Sequence, residues 1–179
     1  MMKKLLQLLG LVAAALTLGA CNTGEDYANF LTFHIAEQNT SEGIYRSRVT
    51  MPVSGFEVIA NDGFVLSHAH LHSVKVAKVT MPDGLQTVRG LLFNFTSEGS
   101  RILYRETASN RNGWILMNER YKPVGLRKID AIIQDGNLFM LVEFPPETDL
   151  HEKAADYNEG IRIVQAKIKK KKEGMFAAW

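Results

Sequence analysis

Apolar and polar residues alternate along much of the chain between Phe30 and Phe95, and turn-forming residues separate the runs. Alternation with aromatic and β-branched residues is typical of β-strands. The predicted strands are 30–36, 44–51, 56–60, 73–81 and 85–95. Pro82-Asp83-Gly84 predicts a tight turn, so the last two strands should form a hairpin. The offset of Val79 from Val74 and Val76 predicts a β-bulge between them.

The pattern changes to a helical period twice. Ser97–Asn110 is predicted to be a helix that Thr96 or Ser97 caps. Four strands should follow it, at 114–117, 121–124, 129–133 and 138–144. Asp135-Gly136 predicts a two-residue hairpin turn between the last two.

A second helix carries the clearest periodic signal. Its apolar residues are spaced four and three apart, as one stripe requires, at Leu150, Ala154, Tyr157, Ile161, Val164 and Ile168. Acidic residues precede the stripe and lysines follow it, which suits the helix dipole. The order of elements predicts an α+β domain over residues 30–168, an antiparallel sheet with two helices packed on one face in a ferredoxin-like arrangement. Residues 169–179 form a basic C-terminal tail.

The first twenty residues are predicted to be a signal peptide. Lys3 and Lys4 precede an apolar stretch that is too short to span a bilayer. The stretch ends Leu18-Gly19-Ala20-Cys21, which resembles the lipobox of bacterial lipoproteins. This pattern predicts cleavage before Cys21, lipidation of Cys21, and a linker over residues 21–29. The alternative is an ordinary signal peptide with a stray cysteine.

A lipid on Cys21 would anchor the domain to a membrane of the cell envelope, facing the periplasm. Asn22 follows the cysteine where an Asp would favour the inner membrane, so the outer membrane is favoured. Cleavage would leave 19 of the 21 basic residues beside 19 acidic ones, so charge does not predict nucleic-acid binding. A single cysteine excludes a disulfide framework.

Few residues predict chemistry. His68, His70 and His72 would share one face of a strand and could bind zinc or copper. The alternative is a turn capped by Ser67, with Leu71 pointing inward and the histidines solvated. His34 and His151 are predicted to be surface or edge residues. Asp130 and Asp135 could form a carboxylate pair, but a turn explains Asp135.

Motifs for a nucleophile elbow, a phosphate loop or a zinc protease do not occur in the sequence. We therefore expect no enzyme activity and no cofactor.

Between Val65 and Gln165 the chain resembles the periplasmic head region of SecD, the accessory subunit of the bacterial protein translocase. The resemblance lies in Leu71–Val76, Leu92–Gly99, Thr107–Asn110, Gly113–Asn118 and Lys122–Ile133, followed by Asp135-Gly136. The family's Gly-Gly and the proline of its Ser-Ala-Pro triplet are not matched. The resemblance implies a domain that engages unfolded, emerging polypeptide.

Together these observations predict a membrane-anchored envelope lipoprotein that binds protein or peptide, as a secretion or translocation accessory. The alternatives are a metal-binding lipoprotein that uses the three histidines, or a purely structural envelope protein. The sequence leaves the oligomeric state open.

Overall fold

The computed structural model describes residues 30–38, 41–80 and 87–176. The predicted signal peptide, Cys21, the linker, the turn at Pro82-Asp83-Gly84 and residues 177–179 lie outside them. The strands are β1 Leu31–Glu37, β2 Arg46–Thr50, β3 Glu57–Asn61, β4 Leu66–Ser67, β5 Leu71–Thr80, β6 Thr87–Phe95, β7 Trp114–Glu119, β8 Lys122–Lys128 and β9 Asn137–Val142. The helices are α1 Ser97–Ser109 and α2 Leu150–Phe176, and His68–His70 forms a 3-10 turn.

The nine described strands form one open antiparallel sheet in the order β2-β3-β1-β7-β8-β9-β6-β5, with β4 also paired to β1. The predicted α+β class, antiparallel sheet and pair of helices are confirmed. The ferredoxin-like arrangement is not confirmed, because the sheet is larger than that fold allows.

The front face of the sheet, defined here by Leu31, Phe33 and Ile35 of β1, packs against both helices. Ala154, Tyr157, Ile161 and Val164 are buried, as the predicted stripe requires. Burying a large apolar side chain contributes about 1.5–3 kcal/mol. The first turn of α1 is capped as predicted, since Gly99 N donates to Thr96 Oγ1 at 3.2 Å.

The back face carries a second, smaller core. Here β2 and β3 contribute Val49 and Val58, which pack with Leu116 of β7. Glu143 fastens the turn between the two strands, because its Oε2 accepts from Val53 N at 2.9 Å and Ser54 N at 3.0 Å. Burial alone would raise the pKa of Glu143, but these hydrogen bonds outweigh it and lower that pKa.

The predicted strand at 129–133 is wrong. Ile129 is buried in the front core, but its backbone N–H donates to Gly113 O and that of Ile133 donates to Thr107 Oγ1. These apolar residues therefore fill space beside the end of α1 as a loop. The predicted Asp135-Gly136 hairpin is wrong for the same reason, since β9 pairs with β8 across this longer loop.

Two smaller predictions also need correction. The β-bulge lies between Leu71 and Ser73, and the ladder from Ser73 to Thr80 is regular, so the predicted offset near Val79 is not a bulge. β2 begins at Arg46, two residues after the predicted start. The predicted hairpin between β5 and β6 is confirmed by their pairing. No helix in the described ranges is long and apolar enough to cross a membrane.

Candidate functional site

The three clustered histidines occupy three different environments. His68 is fully buried, and its Nε2 donates to Tyr157 O of α2 at 2.8 Å. His70 uses Nδ1 to accept the backbone N–H of Ser67 at 3.1 Å. His72 is exposed at the start of β5. The predicted capped turn and inward Leu71 are therefore confirmed, whereas the expectation of a solvated His68 is wrong.

This arrangement does not support the metal-binding alternative. Residues 68–70 form a 3-10 turn, so the period-two geometry of a strand does not hold for them. Within the described ranges, no three His, Cys, Asp or Glu side chains are placed to share a metal ion. Burial lowers the pKa of His68, which keeps its ring neutral in the core.

His34 was predicted to lie at the surface or an edge, and it is buried. Its side chain points to the back face of β1 and is only 8% exposed. Nδ1 donates to Asn61 O at 2.9 Å, so Nε2 accepts from Thr32 Oγ1 at 3.0 Å. Burial lowers its pKa more than the Asn61 hydrogen bond raises it. A lone histidine within an apolar strand gave no sequence signal for this role.

A cleft of about 450 Å³ lies on the back face between the β2–β3 hairpin and β7. Its walls include His34, Val49 and Leu116, and the exposed side chains of Phe64 and Tyr121 also line it. Both ring nitrogens of His34 are engaged, and Asp62 Oδ1 accepts from Ser47 Oγ at 2.7 Å. Because apolar side chains line much of the cleft, it can receive an apolar group. His34 is not free to act as a base, because both of its ring nitrogens are hydrogen-bonded.

The remaining predicted candidates are separate. Asp135 accepts from Asn137 N at 3.0 Å, and its pKa is lowered by that hydrogen bond. Asp130 instead lies 3.6 Å from Arg127. His151 is exposed in the first turn of α2, where its N–H donates to Asp149. The structure thus gives the two aspartates different partners, and Asp135 accepts a local hydrogen bond in the loop before β9 rather than in the predicted two-residue hairpin turn.

The two edges of the sheet differ in their charges. On β2, Arg46 pairs with Glu37 at 3.3 Å. Arg48 contacts both Glu42 at 2.8 Å and Glu57 at 3.0 Å. The outward backbone groups of Arg46 are also taken, since its N–H and C=O bond to Gly43. The β2 edge is therefore neutralised and partly closed by its own chain.

On β5 the helix closes only half of the edge. Asn158 of α2 binds Val74 like a neighbouring strand, accepting its N–H at 2.9 Å and donating to its C=O at 2.7 Å. Gln165 donates to the carbonyls of Ala69 and Leu71 at 3.0 and 3.3 Å. The first part of β5 is thus covered by side chains of α2.

The second half of β5 is open. The backbone N–H of Val74 points away from β6 and donates to Asn158. Val74 and Phe93 of β6 are therefore a non-hydrogen-bonded pair. Successive antiparallel pairs alternate, and the regular register makes Val76, Lys78 and Thr80 point their backbone groups away from β6. We call these three positions the outer edge of β5. Their outward backbone groups have no hydrogen-bond partner within the described ranges.

Comparison with known proteins gives a partial structural similarity. No family model and no curated protein matches the chain. It is similar to a solved structure of SecDF, described as a membrane component that enhances protein export, with a TM-score of 0.45 and 14% sequence identity. The match covers 74% of this chain and 61% of that chain. No residue role follows from the match.

Proposed function

We propose that this protein is a lipid-anchored protein of the bacterial cell envelope that binds an extended segment of another polypeptide by strand addition. The segment would pair with the outer edge of β5. The proposal includes no catalytic step. It rests above all on the open row of backbone groups at Val76, Lys78 and Thr80.

Asn158 illustrates the chemistry of this edge. Its side-chain amide supplies one acceptor and one donor to Val74, which is what one residue of an added strand would supply. The next outward positions, Val76 and Lys78, offer the same pair of groups, and no side chain of the described part of α2 forms a hydrogen bond with them. Backbone pairing of this kind gives affinity with little demand on sequence.

The surroundings of the edge add apolar contact. Val79 is 39% exposed beside it, and Leu141 of β9 is 45% exposed. Phe139 is partly buried on β9, and its ring lies against Gly90 of β6. A side chain of an added strand would therefore meet Val79 next to the backbone pairs, whereas Leu141 and Phe139 lie on β9, which β6 separates from β5.

The membrane anchor and the secretion role rest on sequence. The lipobox at Leu18-Gly19-Ala20-Cys21 supports a lipid on Cys21. The resemblance to the SecD head region supports emerging secreted chains as the partner, which makes a secretion or translocation accessory the specific function proposed. The outer membrane remains the favoured location.

A pair of variants at one position tests strand addition. Lys78→Pro removes the outward N–H, and proline is tolerated at such edge positions because the β5–β6 ladder does not use that group. Lys78→Thr removes the same charge but keeps the N–H. Binding of a reduced and carboxymethylated secreted protein, which stays unfolded, is measured by fluorescence anisotropy with the full chain in detergent.

We expect Lys78→Pro to weaken binding about tenfold relative to Lys78→Thr, because one backbone hydrogen bond and its neighbours are lost. Thermal unfolding of both variants checks that they fold. Equal affinity of two folded variants would contradict strand addition at β5. If the wild type does not bind unfolded chains at all, the structural role considered in the sequence analysis becomes the better account.

The anchor is tested separately with Cys21→Ala. The wild-type chain should fractionate with membranes, and its mature N-terminal peptide should carry a diacylglycerol mass on Cys21. The variant should lose both properties. A wild-type protein without lipid, released from the membrane fraction by salt, would contradict the lipoprotein proposal.

A further inference from the structure

The far end of the β5–β6 hairpin carries positive charge that the described residues do not neutralise. Between Ser73 and Asn94 the sequence contains Lys75, Lys78, Arg89 and one acidic residue, Asp83. The three basic side chains are exposed. None of them makes an ion pair or a side-chain hydrogen bond with another residue in the described ranges. We call them the β5–β6 basic cluster.

Two members of this cluster oppose each other. Lys78 lies directly across from Arg89 in the ladder. Because pair types alternate along the ladder, Lys78 and Arg89 form a non-hydrogen-bonded pair, as Val74 and Phe93 do. The Cα atoms of such a pair lie about 4.5 Å apart. Like charges placed directly opposite destabilise a sheet. An anion bound between or beside them would remove this repulsion.

The opposite edge of the sheet provides an internal comparison. On β2, the arginines Arg46 and Arg48 are paired with three glutamates, and Gly43 occupies outward backbone groups of Arg46. On β5, the exposed cations and the open backbone groups occur at the same place. Among the described residues, the cations are thus unpaired at the β5 edge and paired at the β2 edge. Gly43 also takes the first outward backbone position of β2, although the same alternation leaves the backbone groups of Arg48 and Thr50 facing outward.

We propose that the outer edge of β5 selects extended polypeptide segments that carry acidic side chains, through Lys75, Lys78 and Arg89. This inference rests on the proposed function and names its substrate class. Lys78 and Arg89 extend from one face of the hairpin and Lys75 from the other. An added strand, whose side chains alternate between faces, meets a cation on both sides.

The test uses three peptides of equal length. Each is an unstructured twelve-residue chain of alternating Thr and Val with four interspersed charged or polar positions, which hold Glu, Gln or Lys. The wild-type full chain in detergent is titrated with each peptide at 50 mM and 500 mM salt. A triple variant, Lys75→Gln with Lys78→Gln and Arg89→Gln, is compared with the matched control Arg46→Gln with Arg48→Gln.

We expect the Glu peptide to bind about tenfold more tightly than the Gln peptide at low salt, and the Lys peptide to bind most weakly. The difference should shrink at high salt and in the triple variant, but persist in the β2 control. Equal affinity for the Glu and Gln peptides would overturn the inference while leaving strand addition intact.

Failure of the proposed function itself has a different signature. In that case none of the three peptides binds the wild type, or binding is the same in Lys78→Pro and Lys78→Thr. A parallel titration with vesicles that contain anionic lipid tests whether the basic cluster instead binds a negatively charged membrane surface. Vesicle binding that depends on the cluster, without discrimination among peptides, would overturn the inference in favour of a membrane contact.

Discussion

Burial of two histidines links single residues to the pH dependence of stability. His34 and His68 have lowered pKa values because burial disfavours their charged forms. Below the ordinary value of 6.5, the unfolded chain takes up protons that the folded chain excludes. We expect the free energy of unfolding to fall by about 1.4 kcal/mol per pH unit for each histidine, until its folded-state pKa is reached.

Nuclear magnetic resonance titration of the histidine ring protons, combined with urea unfolding between pH 7.5 and 5, measures both effects. The account requires the resonances of His34 and His68 to titrate below 6.5. A ring that titrates at 6.5 would be solvated, and one with a higher pKa would be paired with a carboxylate; either result would contradict the contacts described.

Glu143 supports a second prediction at the scale of single residues, in which a charged rather than a neutral side chain stabilises the fold. Its pKa is lowered, so its stabilisation is present above the ordinary value of 4.5 and is lost as the pH falls through the folded-state pKa. We expect Glu143→Gln to cost about 1 kcal/mol at pH 7, since charged acceptors make the stronger hydrogen bonds. The difference from the wild type should narrow below pH 4.5. Chemical denaturation checks this, and a difference independent of pH would refute it.

At the scale of elements, the sequence did not predict the turn between β7 and β8. Arg120 and Tyr121 both adopt positive φ, 47° and 68°, as a two-residue hairpin turn requires. That conformation favours glycine or asparagine, and neither occurs there. Arg120 instead stacks over Phe30, with its guanidinium carbon 4.8 Å from the ring centroid. Packing has thus overridden local propensity.

We expect Tyr121→Gly to stabilise the protein by up to about 1 kcal/mol, because glycine relieves the left-handed conformation and Tyr121 is 83% exposed. Gly136 provides the reverse control. It also has positive φ, 68°, and a Cβ there would collide with Ser100, so Gly136→Ala should destabilise. Thermal unfolding measures both. Destabilisation by Tyr121→Gly would show that the tyrosine ring makes a contact that outweighs the strain.

The contact between α2 and β5 gives a second prediction at this scale. Asn158→Ala removes both hydrogen bonds to Val74 and extends the open edge by one position. Amide hydrogen exchange at Val74 should become faster, and stability should fall by about 1–2 kcal/mol. Val58, buried on the opposite side of the sheet, should exchange unchanged relative to global stability. Unchanged exchange at Val74 would mean that Asn158 does not protect it.

For the whole molecule, the sequence predicted the elements with regular periodicity well, but it did not predict the segments of irregular backbone. The α2 stripe and the β5–β6 hairpin were predictable because their patterns extend over many residues. The apolar residue Ile129 led to the wrong prediction of a strand at 129–133, because a buried apolar residue in a loop has the same sequence signal as one in a strand. His34 and the β2–β3 hairpin over the back face depend on long-range contacts such as that of Glu143 with Val53. Local patterns do not encode such contacts.

The open edge of β5 likewise required the structure. Only the register from Val74 shows which backbone groups face outward, and only Asn158 shows where the helix stops covering them. The basic residues could be read from the sequence, but only the structure shows that no described residue pairs with them. The proposed function therefore belongs to the assembled sheet rather than to any motif.

Site-specific photocrosslinking in cells tests the central claim most directly. A photoreactive amino acid replaces Lys78 on the β5 edge, or Arg48 on the β2 edge, in the full-length chain. Strand addition at β5 predicts crosslinks from position 78 to other polypeptides, identified by mass spectrometry, and few from position 48. Equal crosslinking at the two positions, or none at position 78, would contradict the account.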